Sequence, residues 1–323
     1  MFFFAQNDAA KIMLSRRNVR IKVMQVLYSM SRDSKLDLDG VLRRYRSNID
    51  KSFELYLFNL LVLSRVASHS KQDRARKRAK LLPSEEDLAF TAKLCENPLV
   101  ESLVNNQELT RLYKRYKLEG RIDKDMIRKF YSDFAKTEDY QAFIRQENNR
   151  REDYKDILLK LFKHNISSET YEEYLDDNYS SWTDDKSLVV GAMKKTIKAL
   201  PADSDFYEAY EPADETVKDF GEILLSRVVR EDEELLGIIE PTLRNWDADR
   251  VAVIDMILLK MALCELMYFP TIPTKVTLNE FVDISKIYST EKSKDFINGI
   301  LDRLMKQLET DGKINKSGRG LVD

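Results

Sequence analysis

A chain of 323 residues that is 43% hydrophobic and 33% charged, with only 9 glycines and 7 prolines, holds enough apolar material for one large core or two medium ones. It has too few turn formers for a strand-rich fold. No run of about 18 uncharged apolar residues occurs, which argues against a membrane span, and a formal net charge of −2 excludes whole-molecule attraction to a polyanion, so nucleic-acid binding would have to come from local clusters.

Residues 1–12 open on Met1-Phe2-Phe3-Phe4 but lack a basic leader, and the apolar run is too short for a signal-peptide core. They are expected to be a non-native or upstream-start extension without fixed order. The next segment reads as a helix over 14–32, with Val19, Val23, Val26, Leu27 and Met30 forming an apolar stripe and Arg17, Arg20, Met24 and Tyr28 an adjoining strip. No acid stands between residues 9 and 32, whereas Lys11, Arg16, Arg17, Arg20, Lys22 and Arg32 do, so the segment is locally +6. A loop over Ser31–Asp39 leads to a second predicted helix at 38–49.

Residues 51–210 are more polar. Helices are predicted over 53–80, 84–96, 100–117, 124–135, 137–163, 168–175 and 185–199, punctuated by Asn97-Pro98, Glu119-Gly120 and Leu200-Pro201. Recurrent Tyr and Phe predict packed helical hairpins. Lys71–Lys80 carries six basic residues against one acid, and Ser168–Asp185 seven acids and no base. The basic run is either a solvated face or an extension of a nucleic-acid footprint, and the acidic stretch is a candidate intramolecular partner for it.

From about 212 the pattern is more apolar and regular, with helices predicted over 214–229, 231–243, 247–268, 275–288 and 291–309. Trp246-Asp247-Ala248-Asp249 offers caps for the third. Its interior, Val251 to Leu266, is apolar almost all round and so belongs at the centre of a bundle. Tyr268-Phe269-Pro270 to Pro273 breaks the chain. Thr277-Leu278-Asn279-Glu280 has capping-box form, with Thr274 an equally good start. Gly299, inside the last helix, predicts a close approach of another helix, because Gly there costs about 1 kcal/mol relative to Ala. The polar, Gly-rich Gly312–Asp323 is expected to fray.

Two segments carry a resemblance. One is Arg16-Arg17-Asn18-Val19-Arg20 followed by Gln25-Val26-Leu27-Tyr28-Ser29. The other, from Trp246 to about Leu304, contains Pro273-Thr274-Lys275-Val276-Thr277-Leu278-Asn279-Glu280, Ser285-Lys286 and Phe296-Ile297-Asn298-Gly299-Ile300-Leu301-Asp302. Together they resemble the NusB family, whose members open with an arginine-rich helix and carry "P-x-K-V-x-I-N-E" and "F-[VI]-N-G-[VI]-L-D". Asn18 and Lys260 stand where the family commonly has Arg, and 51–210 has no counterpart in short members.

The resemblance implies an all-α, NusB-like helical bundle with an additional inserted helical region: 13–50 and 211–310 as the bundle, 51–210 as the insertion, 1–12 as a disordered extension and 311–323 as a flexible tail. It implies a cytoplasmic, cofactor-free, non-enzymatic transcription antitermination factor. Such a factor binds boxA-type single-stranded leader RNA of ribosomal RNA operons jointly with ribosomal protein NusE, alongside other Nus factors and RNA polymerase.

Residue chemistry agrees with an RNA role. Arg forks suit phosphates, a helix N-terminus favours anions, and flat side chains stack bases. The RNA candidates are Arg16, Arg17, Arg20, Lys22, Gln25, Lys275, Lys286, Lys292, Lys294 and Phe296. Phe296 reads equally as core, in series with Ile300, Leu304 and Leu308. Asn279 and Glu280 read better as structural ties. Tyr28, Asp249 and Asp255 are candidate contacts for the basic NusE partner, with internal salt bridges to Arg250 or Lys260 as the alternative for the two acids.

Cys95 and Cys264 form no disulfide pattern, and His69 and His164 have no Cys or His at metal-ligand spacing, so neither a disulfide framework nor a metal is expected. Some ribosomal RNA methyltransferases carry a similar helical domain, but no Gly-rich methyl-donor site, nucleophile elbow, P-loop or HExxH string occurs here. A helical interaction scaffold without RNA binding is the other reading.

Overall fold

The computed structural model describes residues 13–33, 35–243 and 251–317, and among them all regular structure is helical. The helices are α1 (Arg16–Arg32), α2 (Leu38–Arg78), α3 (Glu85–Ala89), α4 (Pro98–Val104) and α5 (Gln107–Arg115). There follow α6 (Lys124–Phe134), α7 (Glu138–Arg145), α8 (Arg151–Ile166), α9 (Glu169–Asn178) and α10 (Trp182–Ala199). A π-helical segment, Glu215–Glu222, runs into α11 (Ile223–Arg230), followed by α12 (Asp232–Ile239), α13 (Val253–Tyr268), α14 (Thr274–Tyr288) and α15 (Ser293–Thr310). No described helix is long and apolar enough to cross a membrane. The chain divides into two compact units, one built on Leu14–Ile49 with Pro212–Asp323 and the other on Asp50–Glu211.

In the first unit α13 is the central element. Its residues from Ile257 to Leu266 are all buried, and it packs against α1, α11, α12, α14 and α15. A helix with no polar face has to be covered on every side, and each fully buried Leu or Met contributes roughly 1.5–3 kcal/mol to that packing. α1 covers one side with Val19, Val23, Val26 and Leu27. It starts where Ser15 accepts from Asn18 N and Asn18 Oδ1 accepts from Ser15 N, a reciprocal cap. Asn18, which departs from the arginine-rich pattern, therefore has a structural task.

The π-helical turn carries Gly221 under Tyr45, whose hydroxyl donates to Val217 O at 3.0 Å. A Cβ on Gly221 would lie 1.9 Å from Tyr45 Oη and 2.6 Å from Val19 Cγ1, so no other residue fits without movement. Gly299 differs from expectation, because a Cβ there meets nothing within 4 Å among the described residues. The helix-breaking residue that packing requires sits in the π turn.

α14 begins at Thr274 directly after Pro273, and Thr277 is no cap but a buried residue of the helix. In α15 the core-facing series is Ile297, Ile300, Leu301, Leu304 and Leu308. Gly312 takes φ +64, Lys313 N donates to Leu308 O at 2.9 Å and Gly312 N to Glu309 O at 3.2 Å, which closes α15. Lys316 Nζ then donates to the carbonyls of Glu265 (3.1 Å) and Phe269 (3.0 Å) at the end of α13. Residues 318–323 lie outside the described residues, as do 1–12 and the cap candidates Trp246 to Asp249.

In the second unit an aromatic-rich core includes Phe58, Phe130, Tyr131, Tyr171 and Trp182. The helices predicted separately at 38–49 and 53–80 are one helix of 41 residues, since Asp50-Lys51-Ser52 between them holds no Gly or Pro. The opposite happens at 100–117, where Asn106 accepts from Leu109 N at 3.0 Å and starts a new helix. It happens again at 137–163, where Asp153 accepts from Arg150 N at 2.7 Å. The span 84–96 keeps only the short α3. The basic run Lys71–Lys80 is paired locally: Arg74 with Glu96, Lys77 and Lys80 with Asp87, and Arg76 with Asp73. The acidic stretch is not its partner among these, for Glu172 takes Lys186 and Asp185 accepts from Ser52 and Ser181.

Candidate nucleic-acid interface

The first turns of α1 present three arginines in three different environments. Arg20 is buried, with 2% of its surface exposed. Its Nε and Nη2 each donate to Glu265, at 2.7 Å, and Glu265 is fully buried in α13. Thr277 Oγ1 donates to the same carboxylate at 2.8 Å, Glu280 lies 3.5 Å from Arg20 Nη1, and the guanidinium stands over the rings of Phe220 and Phe281. A bidentate pair with further hydrogen bonds is the arrangement in which burial of two charges is tolerated. Arg20 therefore joins α1, α13 and α14, and its expected RNA contact is corrected. Lys22, also 2% exposed, is corrected for the same reason: a phosphate has no access to it.

Arg16 and Arg17 are half-exposed. Arg16 pairs with Glu215 at 3.1 Å, and Arg17 lies 3.5 Å from Asp283 and 3.7 Å from Glu280. With Ser15 they line an open cleft of about 430 Å³, whose other lining residues are Arg20, Thr271, Ile272, Pro273, Val276 and Glu280; Arg20 contributes only its 2% of exposed surface. Lys286 joins from α14, donating to Asp283 at 2.5 Å. The Lys286 ammonium and, after it, Arg17 hold the Asp283 carboxyl below the usual carboxylate range, against a smaller effect of burial. Each exposed cation of the strip thus has an exposed or half-exposed carboxylate beside it. Such pairs are worth about 0–1 kcal/mol in water, so a phosphate can replace the carboxylate at little cost.

Gln25 is half-buried, Lys275, Lys292 and Lys294 are exposed, and Phe296 is half-buried. The start of α15 is pinned by Ser293, whose hydroxyl bonds Ser289, Thr290 and Asp255 at 2.9, 2.8 and 2.7 Å. Lys292, Lys294 and Phe296 are thereby placed just after the end of α14, where Lys286 sits. Asp255 is 5% exposed and holds Ser293, so its expected partner contact is corrected: burial removes it from the surface. Its predicted ion pair with Lys260 is absent too, because Lys260 donates to Asp232 at 2.6 Å. Tyr28 is 36% exposed, with Arg32 over its ring at 5.3 Å and donating to its hydroxyl. Asp249 and Arg250 lie outside the described residues.

Sequence reasoning missed Glu265, Thr277 and Lys316. The signal for Glu265 was half present: an acid inside an otherwise apolar helix needs a buried cation, but nothing local names Arg20 as that cation. Among the described residues no group of three or more His, Cys, Asp or Glu is placed to hold a metal ion. Cys95 and Cys264 are both buried, and burial pushes both thiols up, away from the reactive thiolate.

The model of the NusB family matches residues 189–306. The match starts within α10 and does not reach α1. A transcription antitermination protein NusB from Salinibacter ruber is 41% identical over 109 residues, 34% of this chain and 68% of that protein. One from Chloroherpeton thalassium is 40% identical over 111 residues, 34% of this chain and 53% of that protein. One from Listeria monocytogenes is 45% identical over 83 residues, 26% of this chain and 65% of that protein. No solved structure matches the chain. NusB homologues are antitermination factors and not enzymes. The signature in α13 to α15, the helical bundle around it and these relatives together show that the chain belongs to the NusB family.

Proposed function

We propose that the chain is a cytoplasmic transcription antitermination factor that binds boxA-type single-stranded RNA of ribosomal RNA operons. It acts jointly with NusE and, through other Nus factors, with RNA polymerase. The observation that carries the reading is the division of labour in α1: Arg20, at the floor of the cleft, is buried and held by Glu265, while the side chains of Arg16 and Arg17 one turn earlier are half-exposed in the same cleft. RNA enters along this cleft, its phosphates exchanging with Glu215 and Asp283 for the two arginines. Lys275, Lys286, Lys292 and Lys294 extend the cationic track, with Phe296 as stacking platform. Gln25 lies further along α1. Tyr28 and Asp249 are the contacts proposed for NusE.

Titration of a boxA-type oligonucleotide at several salt concentrations tests the reading. Each phosphate contact with single-stranded nucleic acid adds about −0.7 to the slope of log affinity against log salt. Arg16→Ala with Arg17→Ala is expected to weaken binding and flatten the slope by about 1.4, with unfolding unchanged. Equal affinity and slope in the double variant would remove the cleft from the RNA site. The carboxylates beside each cation favour, as second reading, a scaffold that contacts proteins alone; absence of any salt-dependent RNA binding by the wild-type chain, with and without NusE, would select it.

A further inference from the structure

The carboxyl end of α13 lacks the means to close itself. Its last turn carries no basic residue, no glycine follows it, and Pro270 and Pro273 bring no N–H to the turn before α14. The cation that such an end favours arrives from beyond α15. Lys316 Nζ donates to the carbonyls of Glu265 at 3.1 Å and Phe269 at 3.0 Å, 51 and 47 residues away in sequence. Ser317 N donates to Pro270 O at 3.0 Å. Lys316 is half-buried, and burial pushes its ammonium down from the ordinary lysine value, against the raising effect of the Glu265 carboxylate. Taking that charge partly out of water has a cost, which the two carbonyls offset.

The segment held in this way is a wall of the cleft beside α1. Thr271, Ile272 and Pro273 follow Pro270 directly and line the cleft together with Arg16 and Arg17. Ile272 is 3% exposed, and its N–H donates at 3.2 Å to Phe269 O, the carbonyl that Lys316 also takes. Glu265 is held twice, its carboxylate by Arg20 and its carbonyl by Lys316. The Phe269 ring packs edge-on against Phe220 at 5.1 Å and 71°, and the Arg16 guanidinium stands over that Phe220 ring at 5.9 Å. A packed series therefore joins Lys316 to Arg16, although Lys316 is not among the residues that line the cleft.

We propose that Lys316 is a positioning residue for the cleft: the segment after α15 straps the α13–α14 turn in place and so sets the affinity of the cleft for single-stranded RNA. The inference rests on the reading of the cleft as an RNA site. The full-length chain and its Lys316→Met and Lys316→Arg variants are titrated with a boxA-type oligonucleotide at several salt concentrations, and their amide exchange is followed by NMR. Lys316→Met is expected to weaken binding roughly three- to ten-fold. The slope of log affinity against log salt should stay the same, because the lysine touches no phosphate. The Ile272 amide should exchange faster by a similar factor, while the amides of Met261 to Cys264 in α13 keep their protection. Lys316→Arg keeps the cation and should retain most of the affinity. A slope smaller by about 0.7 in Lys316→Met would make the lysine a phosphate contact and overturn the proposal. Protection lost throughout α13 would mark a merely structural residue and overturn it as well. So would unchanged Ile272 exchange in Lys316→Met, or an equal loss of affinity in Lys316→Arg. Failure of the wild-type chain to bind the oligonucleotide overturns the RNA reading itself, whereas wild-type binding with unchanged affinity in Lys316→Met overturns this inference alone.

Discussion

Replacing Arg20 by Ala should be among the most damaging single changes in α1, and its effect should fall on stability before it falls on RNA binding. The side chain makes two 2.7 Å hydrogen bonds to Glu265, a residue with no exposed surface. After the substitution the carboxylate keeps, among the described residues, the hydrogen bond from Thr277 Oγ1 at 2.8 Å and loses the guanidinium that compensated its charge. Breaking a buried pair from one side costs about 3–5 kcal/mol, a large share of the 5–15 kcal/mol typical of a domain. Replacing both partners by apolar residues of similar volume, Arg20→Met with Glu265→Leu, should cost far less than either single change, since no charge is then stranded. Native-state hydrogen exchange reads this locally: amides of α1, α13 and α14 lose protection in Arg20→Ala, while those of Asp50–Glu211 serve as internal reference. The reasoning is refuted if Arg20→Ala costs under about 1 kcal/mol. It is also refuted if the double change is as costly as the sum of the singles.

Three further outcomes are expected. Glu215→Gln with Asp283→Asn removes carboxylates that compete with phosphate for Arg16 and Arg17, and should raise affinity for a boxA-type oligonucleotide up to about five-fold per pair; lower affinity would show that the pairs position the arginines. Gly221→Ala places a methyl group 1.9 Å from Tyr45 Oη and should lower stability by about 1–3 kcal/mol or more, measured by thermal unfolding, whereas Gly299→Ala should be neutral or stabilising. Burial pushes His69 and His164 below their ordinary 6.5, so the unfolded chain binds more protons in the window just under 6.5. Stability of the Asp50–Glu211 unit is therefore fully retained above that value and lost as pH falls through the folded pKa values, and His69→Gln with His164→Gln should flatten that loss in urea unfolding.

The parts of this fold that could be read from sequence are those set by local pattern. The apolar run of α13 demanded a central place, and the stripe Val19, Val23, Val26, Leu27 set the buried face of α1. The residues whose role depends on distant partners could not be read that way. Arg17 and Arg20 share one helical strip, but Glu265 lies 245 residues from Arg20 in sequence, so periodicity does not show that one arginine is buried and the other open to solvent. Asp255 and Lys260 alike take partners from α15 and α12 that no local spacing encodes. The helix breaks at Asn106 and before Asp153 come from side-chain caps that compete with helix continuation, a weaker signal than Gly or Pro. Gly299 and Gly221 are alike as sequence, and only the packing of Tyr45 distinguishes them.

The central claim is that RNA lies along the first turn of α1 and on toward the α14–α15 junction. Photocrosslinking of a boxA-type oligonucleotide carrying 4-thiouridine to the full-length chain, with peptide mapping by mass spectrometry, locates the contact directly. The account predicts crosslinked peptides containing Arg16–Arg17 and Lys292–Phe296. Crosslinks confined to Asp50–Glu211, or to peptides of the Leu14–Ile49 and Pro212–Asp323 unit remote from both segments, would contradict it.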